Sequence, residues 1–315
     1  MSCKNTEDCQ ESCFQWDVLA EMKSIAKRCL AAVRRNKKLQ YTLLLLPSMI
    51  YLTVFFMAPF FLTTLYSFDM VTRLKQIVFT PSLEYYLKAF GMKGLFPIFL
   101  RSIGYGLATT LLCVVLGYPV AYDIALKCKY KDGVLLLFMI PLWISFLLRT
   151  YALKALLAEN GLLNGILLGL GILAEPLEII RTPTAVLIGM AYNYLLFMIL
   201  PLYANLEKLD VSLLEAAATL GAGKVSTFLR VIVPLSLPGI VAGSLLVFIP
   251  ATGEFIIPDL LGGPESYMIG NLIWDNFLYT RLWGLGSAIS LLFIIFILAI
   301  ILVYLKYAGI KEVVF

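Results

Sequence analysis

The 315-residue chain contains no histidine, and only 14% of its residues are charged. Without imidazole, Ser-His-Asp and Cys-His hydrolysis, His-ligated zinc and HExxH chemistry are all excluded. The shortage of charge excludes an ordinary soluble domain, which runs near ~25% charged and ~45–50% apolar. Here 61% of residues are hydrophobic and the mean hydropathy is +0.89. That composition belongs to an integral membrane protein, in which each helical span needs roughly 20 apolar residues. About six such spans would use roughly 120–140 residues, leaving room for substantial loops but for no second soluble domain. The net charge of +5 does not indicate nucleic acid, because the basic residues gather at the edges of apolar stretches. Cysteine is scarce, and Cys3, Cys9, Cys13 and Cys29 all stand near the amino end. Their spacing matches no zinc pattern, so no metal site is expected. Unpaired thiols on a cytosolic tail are the simpler reading, against a metal or redox role.

The first 41 residues hold no long apolar run, so they do not read as a cleavable signal peptide. Leu19, Met22, Ile25, Ala26, Cys29 and Val33 recur at helical spacing with basic residues on the other faces, which suits a helix lying on the bilayer. A solvated basic tail fits these residues equally well. Six spans are predicted: Thr42 to Tyr66, Ser102 to Tyr122, Val134 to Tyr151, Pro183 to Tyr203, Val231 to Pro250, and Trp283 to Tyr307. Tyrosine or tryptophan near several ends fits the interfacial belt. The stretch Leu162 to Leu173, broken by glycines, is too short to span and reads as a helix at the outer interface. The predicted fold is thus all-α, a polytopic membrane protein with six transmembrane helices. Residues 1–41 form a cytoplasmic basic tail, and residues 42–310 a membrane domain.

Orientation follows from Lys and Arg. Lys4, Lys23, Lys27, Arg28, Arg34, Arg35, Lys37 and Lys38 place the amino end in the cytoplasm, and Lys127, Lys129 and Lys131 place the loop after span two there as well. Six crossings then put both termini inside. The loop from Pro250 to Trp283 carries Glu254, Asp259, Glu265 and Asp275 against Arg281 and falls outside. Arg73, Lys75, Lys88, Lys93 and Arg101 dissent mildly, but long loops obey the rule weakly.

The cytoplasmic loop 204–234 is rich in structural signals. Ser212-Leu-Leu-Glu215 has the form of a capping box, in which serine and glutamate side chains each accept from the other's amide. Leu213, Leu214, Ala217 and Leu220 follow as an apolar stripe. Gly221-Ala222-Gly223 stops this helix, and a second short one, Ser226 to Val233, leads to Pro234. A mere connector needs neither cap nor stripe nor glycine corner, so these features point to a docking element. The string Gly221 to Thr227 is no phosphate-binding loop. With Gly223-Lys224 as the GK pair, Ala218 replaces the first glycine and Val225 the magnesium-holding hydroxyl.

Glu215-Ala216-Ala217, Gly221 and Val231-Ile-Val-Pro234 at their spacing resemble the EAA loop of binding-protein-dependent ABC transporter permeases. Valine at 231 stands where the family pattern has isoleucine. The resemblance runs from about Leu43 to the carboxyl end. It implies the type I importer permease fold, with Glu215, Ala216, Ala217 and Gly221 seated in a separate ATPase subunit. Small alanines permit close approach, Glu215 offers a charge, and Gly221 permits a sharp corner.

The string Gly253-Glu254-Phe-Ile-Ile-Pro258-Asp259-Leu-Leu-Gly262-Gly263-Pro264, with Met268-Ile-Gly270, is similar to the permeases of spermidine/putrescine importers. Gly117-Tyr-Pro-Val-Ala121, Pro141-Leu-Trp143, Arg149-Thr-Tyr151 and Asn160-Gly-Leu-Leu-Asn164 fit the same subfamily. A polyamine is a flexible chain of ammonium groups, so its site wants carboxylates along aromatic walls. Glu254, at membrane depth, and Asp259 are the candidate carboxylates, with Phe255 between them. Each either contacts the cation, pairs with Arg149 or docks the binding protein. Asp123 is expected to pair with nearby lysines. Gly253, Pro258, Gly262 and Gly263 suit a re-entrant segment lining a cavity. Trp143, Tyr192, Tyr194 and Trp274 are candidate pathway aromatics, although rings in spans usually pack against neighbours.

The resemblance implies a transport subunit without catalytic residues and without a bound cofactor, ATP and magnesium sitting on the partner. The implied partners are an ABC ATPase dimer, a second and different permease, an extracytoplasmic binding protein and a polyamine, in a bacterial inner membrane. Alternatives are a permease for another small cation or an opine-like solute, and an ion-coupled secondary transporter. The last needs protonatable or sodium-binding groups at mid-membrane, and charge is nearly absent in mid-span.

Overall fold

The computed structural model describes residues 37–70 and 81–307. The expected interfacial helix from Leu19 to Val33, the four amino-terminal cysteines, and Arg73 and Lys75 lie outside the described residues. All regular structure among the described residues is helical. The chain divides into two units at Leu62/Thr63.

In the first unit the described residues form one element, the leading part of α1 (Lys37–Ser67). It is long and apolar enough to cross a membrane from Leu44 onward, despite Pro47 and Pro59. Its described side chains from Leu44 to Leu62 are exposed.

The second unit continues with α2 (Glu84–Gly91), α3 (Leu95–Leu126) and α4 (Lys131–Met139). A 3₁₀ turn, Ile140–Trp143, extends α4, and α5 (Phe146–Leu157) and α6 (Leu162–Gly169) follow. Next come α7 (Pro183–Leu206), α8 (Val211–Thr219) and α9 (Lys224–Leu235). The remainder is α10 (Leu237–Thr252), α11 (Ile256–Leu261), α12 (Ile269–Leu278) and α13 (Trp283–Tyr307).

Helices α3, α7 and α10 pack on one another to make the main core. On α7, Met190, Tyr194, Met198, Leu202 and Leu206 recur one helical turn apart and are all buried. Met198 is gripped from two sides. A Cβ at Gly117 of α3 would lie 3.3 Å from its Cγ, and one at Gly243 of α10 would lie 2.7 Å from its Sδ. Small residues that let backbones approach are what drive helix association where lipid is as apolar as leucine. A second cluster, Ala89, Leu95, Ile269, Leu272 and Ile289, joins α2 and the start of α3 to α12 and α13.

Among the described residues, four helices are long and apolar enough to span, or six when two bent pairs each count as one crossing. The predicted third span is one of these pairs rather than a straight helix. Lys131–Trp143 and Phe146–Gly169 meet at 90°. Pro141 sits in the 3₁₀ turn, and Ile144 (ψ 136°) and Ser145 (ψ 135°) are extended, which ends one helix and starts the next. The predicted fifth span is the other pair, bent by 63° between α9 and α10. The second short loop helix accordingly starts at Lys224, earlier than expected, and runs to Leu235. Within it a π-turn, Phe228–Ile232, precedes Pro234, and the Val233 amide donates to Phe228. The glycine-broken stretch after Gly161 is helical only over α6, ending before Gly171 at φ +68°.

Candidate functional site

Two arrangements stand out, one on the loop 204–234 and one inside the helix bundle. On the loop, α8 starts earlier than the capping box predicts. Asp210 is the N-cap, and its Oδ1 accepts from the Ser212 amide at 2.9 Å. Ser212 therefore lies inside the helix, and the Ser212–Glu215 box does not form. That backbone N–H holds the Asp210 carboxyl below its usual range. The apolar stripe divides: Leu214 and Ala217 are half-buried, Leu214 against the main core, while Leu213 is exposed and Leu220 is 88% exposed. Glu215 and Ala216 are exposed beside them.

Gly221 takes φ +79° with open space around its α-carbon. The Gly221 and Ala222 amides donate back to Ala218 and Ala217, each at 3.0 Å, which closes the end of the helix. From α9, Val225 and Leu229 are exposed as well. The rest of α9 is anchored: the Phe228 ring meets Tyr118 and Tyr122 edge-on, at 5.5 and 5.9 Å between centroids. The Tyr118 and Ser236 hydroxyls bond at 2.9 Å. The loop thus presents an exposed helix with a free carboxylate and apolar side chains, on a base tied to α3.

Inside the bundle, Glu254 follows α10 directly and is 7% exposed. Its Oε1 accepts from the Phe255 and Ile256 amides, at 3.0 and 2.9 Å, and so closes the entrance to α11. Its Oε2 accepts from the Tyr194 hydroxyl in a short hydrogen bond. Tyr194 stands eleven residues into α7, about 16 Å along its axis. That is near the middle of a helix about 36 Å long. The carboxylate therefore sits level with the middle of α7, deeper than its place in the predicted outer loop suggests. Asn271 braces the turn, its Nδ2 donating to the Phe255 carbonyl at 3.0 Å and its Oδ1 accepting from the Met268 amide at 3.1 Å.

Arg149 of α5, also 7% exposed, is the other charged side chain buried among the described residues. It makes no ion pair among them, so the expected alternative of an Arg149–Glu254 pair is not realised in this conformation. The guanidinium lies over the Phe146 ring at 5.8 Å, and its Nε has no partner. A cation–π contact is worth about 0.5–2 kcal/mol. Desolvation of a buried ion costs several kcal/mol. Beside it, Asn193 donates to Gly189 and Thr150, and its Oδ1 is unpartnered. Of these polar groups only Arg149 was expected from the sequence to meet the site; it and Thr150 lie on α5, which packs on α7, the helix that carries Asn193.

The remaining candidates divide. Phe255 stacks on Trp274 at 4.5 Å and 22°, so these two join Glu254 in one cluster. Tyr194 rather than Tyr192 meets the carboxylate; Tyr192, two residues away on the opposite side of α7, is exposed. Trp143 is 81% exposed at the end of the 3₁₀ turn. Asp259 is exposed and lines a separate cavity of about 370 Å³ with Arg181, Gly263, Tyr267 and Asn271. Burial and the Asp275 carboxylate, which accepts its hydroxyl at 2.5 Å, push Tyr267 upward. The short α11 lies where a re-entrant segment was expected. Asp123 pairs with Lys127 at 2.5 Å, as expected.

Broken spans around a buried carboxylate, joined to an exposed loop helix, fit a helical membrane transport component. The chain belongs to the binding-protein-dependent transport system inner membrane components, whose family profile it matches over residues 29–310. It is 47% identical over 211 residues to the spermidine/putrescine transport system permease protein PotB of Escherichia coli (strain K12), covering 66% of this chain and 76% of that one. It is 35% identical over 232 residues to the inner membrane ABC transporter permease protein YdcU of the same organism, covering 68% and 72%. Among solved structures, a bacterial ABC transporter involved in import of the polysaccharide alginate superimposes with a TM-score of 0.67. That match covers 90% of this chain and 99% of the other, at 19% identity, and establishes the fold.

Proposed function

We propose that the chain is the permease subunit of an ATP-driven importer that moves polyamines, spermidine or putrescine, into the cytoplasm by alternating access. The observation that carries the reading is Glu254: a buried carboxylate level with the middle of α7, held by three donors, beside the Phe255–Trp274 stack and without a cationic partner among the described residues. An ammonium group supplies the missing charge, and the aromatic faces favour it further. The likeness to the PotB permeases supports the same substrate class. Asp259, in its own cavity, serves the outer approach rather than the same subsite.

Glu215, Ala216 and Gly221 form the contact with a separate ATPase dimer, supported by the exposure of α8 and its left-handed stop. A second, different permease completes the pathway, and an extracytoplasmic binding protein delivers the amine. Both termini lie in the cytoplasm of a bacterial inner membrane. The chain itself carries out no catalysis and binds no nucleotide.

The test is ATP hydrolysis by the complex, co-purified through a tag on this chain and reconstituted in lipid with its binding protein. Stimulation by spermidine or putrescine is expected. An ATPase that co-purifies but ignores both amines overturns the substrate, and absence of any ATPase favours an ion-coupled transporter.

A further inference from the structure

Resting on the polyamine reading, we infer that Arg149 is a tethered counter-ion that competes with the transported amine for Glu254. Among the described residues the interior holds one cation and one anion, and they are these two. Neither has an ionic partner among the described residues, which is an expensive state for buried groups unless another conformation joins them. A continuous series of contacts connects them. The guanidinium covers Phe146, Phe146 lies 6.2 Å from the Tyr194 ring, and Tyr194 donates to Glu254.

The helices agree with this. Helix α5, which carries Arg149, packs on α7 and on α11, the helix whose entrance Glu254 closes. The extended residues Ile144 and Ser145 uncouple α5 from α4, so it has a break about which to shift. Two half-made hydrogen bonds mark the same place: the Arg149 Nε lacks an acceptor, and the Asn193 Oδ1, on the residue before Tyr194, lacks a donor.

With Arg149 drawn onto Glu254 the site is neutral and closed to a cation. With Arg149 over Phe146, as in this conformation, the buried carboxylate carries no cationic partner among the described residues, and an ammonium can take that place. A resident cation of this kind ejects the amine after transfer and keeps an empty site from holding stray cations.

The experiment measures equilibrium binding of spermidine to the purified complex in lipid without its binding protein, for Arg149→Gln and Arg149→Lys, each with Glu254 and with Glu254→Gln. Arg149→Gln is expected to tighten binding about fivefold, as follows when the competitor holds the site about four-fifths of the time. The maximal uptake rate should fall in the same variant as release slows. Arg149→Lys, which keeps the charge, should stay near the parent. In the Glu254→Gln background, removing Arg149 should change nothing.

Equal effects of Arg149→Gln and Arg149→Lys, the same shift in both backgrounds, or no shift at all overturns the inference and leaves Arg149 a packing residue. If spermidine stimulates ATP hydrolysis by the parent complex while the arginine variants bind as the parent does, only this inference fails. A parent complex that neither binds nor responds to either amine overturns the polyamine reading and this inference with it.

Discussion

Two acidic residues of this chain do the same local job in opposite surroundings. Asp210 accepts an amide at the start of α8, and Glu254 accepts two at the entrance to α11. Asp210 is exposed, so water bears most of its charge and its role ends with the helix it starts. Glu254 is buried level with the middle of α7 and needs Tyr194 as a further donor; its remaining electrostatic demand must be met from outside its own turn. A cap in water is a local device. The same device in the buried interior leaves its charge unmet, and on the proposed reading a ligand or a moving side chain neutralises it.

That contrast breaks most visibly at the glycines beneath each site. A Cβ at Gly270 would lie 2.4 Å from the Gly253 carbonyl oxygen and 2.7 Å from that of Glu254, and backbone cannot step aside as a side-chain tip can. Gly270→Ala is expected to destabilise the folded chain by at least about 1–3 kcal/mol. Thermal unfolding of the purified complex should show a clear drop, with polyamine response lost. Gly223→Ala, where nothing lies within 4 Å and φ is −68°, should stay within about 0.5 kcal/mol of the parent. Equal tolerance at both positions would mean that the Glu254 turn is not held by α12.

The same difference explains what was legible in the sequence. The apolar runs located α1, α3, α7 and α13 well, because a span is a one-dimensional signal of length and composition. The loop helix and its glycine corner were legible too, since they are set by near neighbours, although the cap shifted from Ser212 to Asp210. Both residues suit an N-cap, and only the start of the helix decides between them. Glu254 stood out because a charge in an apolar run is conspicuous. Its pairings did not: Tyr194, a candidate ring, lies 60 residues away, and Asn271 reaches it through backbone. The 90° break in the third crossing was illegible for a related reason. Composition registers Val134 to Tyr151 as apolar whether it runs straight or turns at Ile144, and the turn is what delivers Arg149 to α7.

At the proposed dock, Gly221 is the position expected to matter most. An aspartate there would have to adopt φ +79°, which costs about 1–2 kcal/mol for a residue with a Cβ. Helix α8 would end differently and place Glu215 and Ala216 wrongly. Gly221→Asp is expected to abolish co-purification of the ATPase while membrane insertion and the thermal midpoint of the chain stay near normal. Normal transport in that variant would falsify the docking role. Glu254→Gln tests the other side. The amide can still accept from the two backbone donors, so the fold should persist, while the charge is gone. Spermidine binding should weaken about tenfold or more, an electrostatic loss of ~1.4 kcal/mol or more. Unchanged uptake rate and half-saturation would remove Glu254 from the pathway.

The smallest expected effect belongs to Asp210, and its size is what tests the comparison. Its carboxyl is held below the usual range in the folded chain by the Ser212 amide. A depressed folded pKa means the ionised cap stabilises α8 above the unfolded value of about 3.9 and loses that contribution as pH falls through the lower folded value. At neutral pH the cap is therefore fully present, and no change in the helix start is expected until strongly acid conditions. Asp210→Ala should raise hydrogen exchange at the first-turn amides of α8, Ser212 to Leu214, at neutral pH. Exchange near Glu254 should be unchanged, and ATPase recovery only slightly lower. Asp210→Asn, whose side-chain carbonyl still accepts, should fall between the two. A loss of ATPase as complete as that caused by Gly221→Asp would show that the exposed carboxylate meets the partner directly. Asp210 would then belong with Glu254, as a charge held in a local turn for something outside the chain to complete.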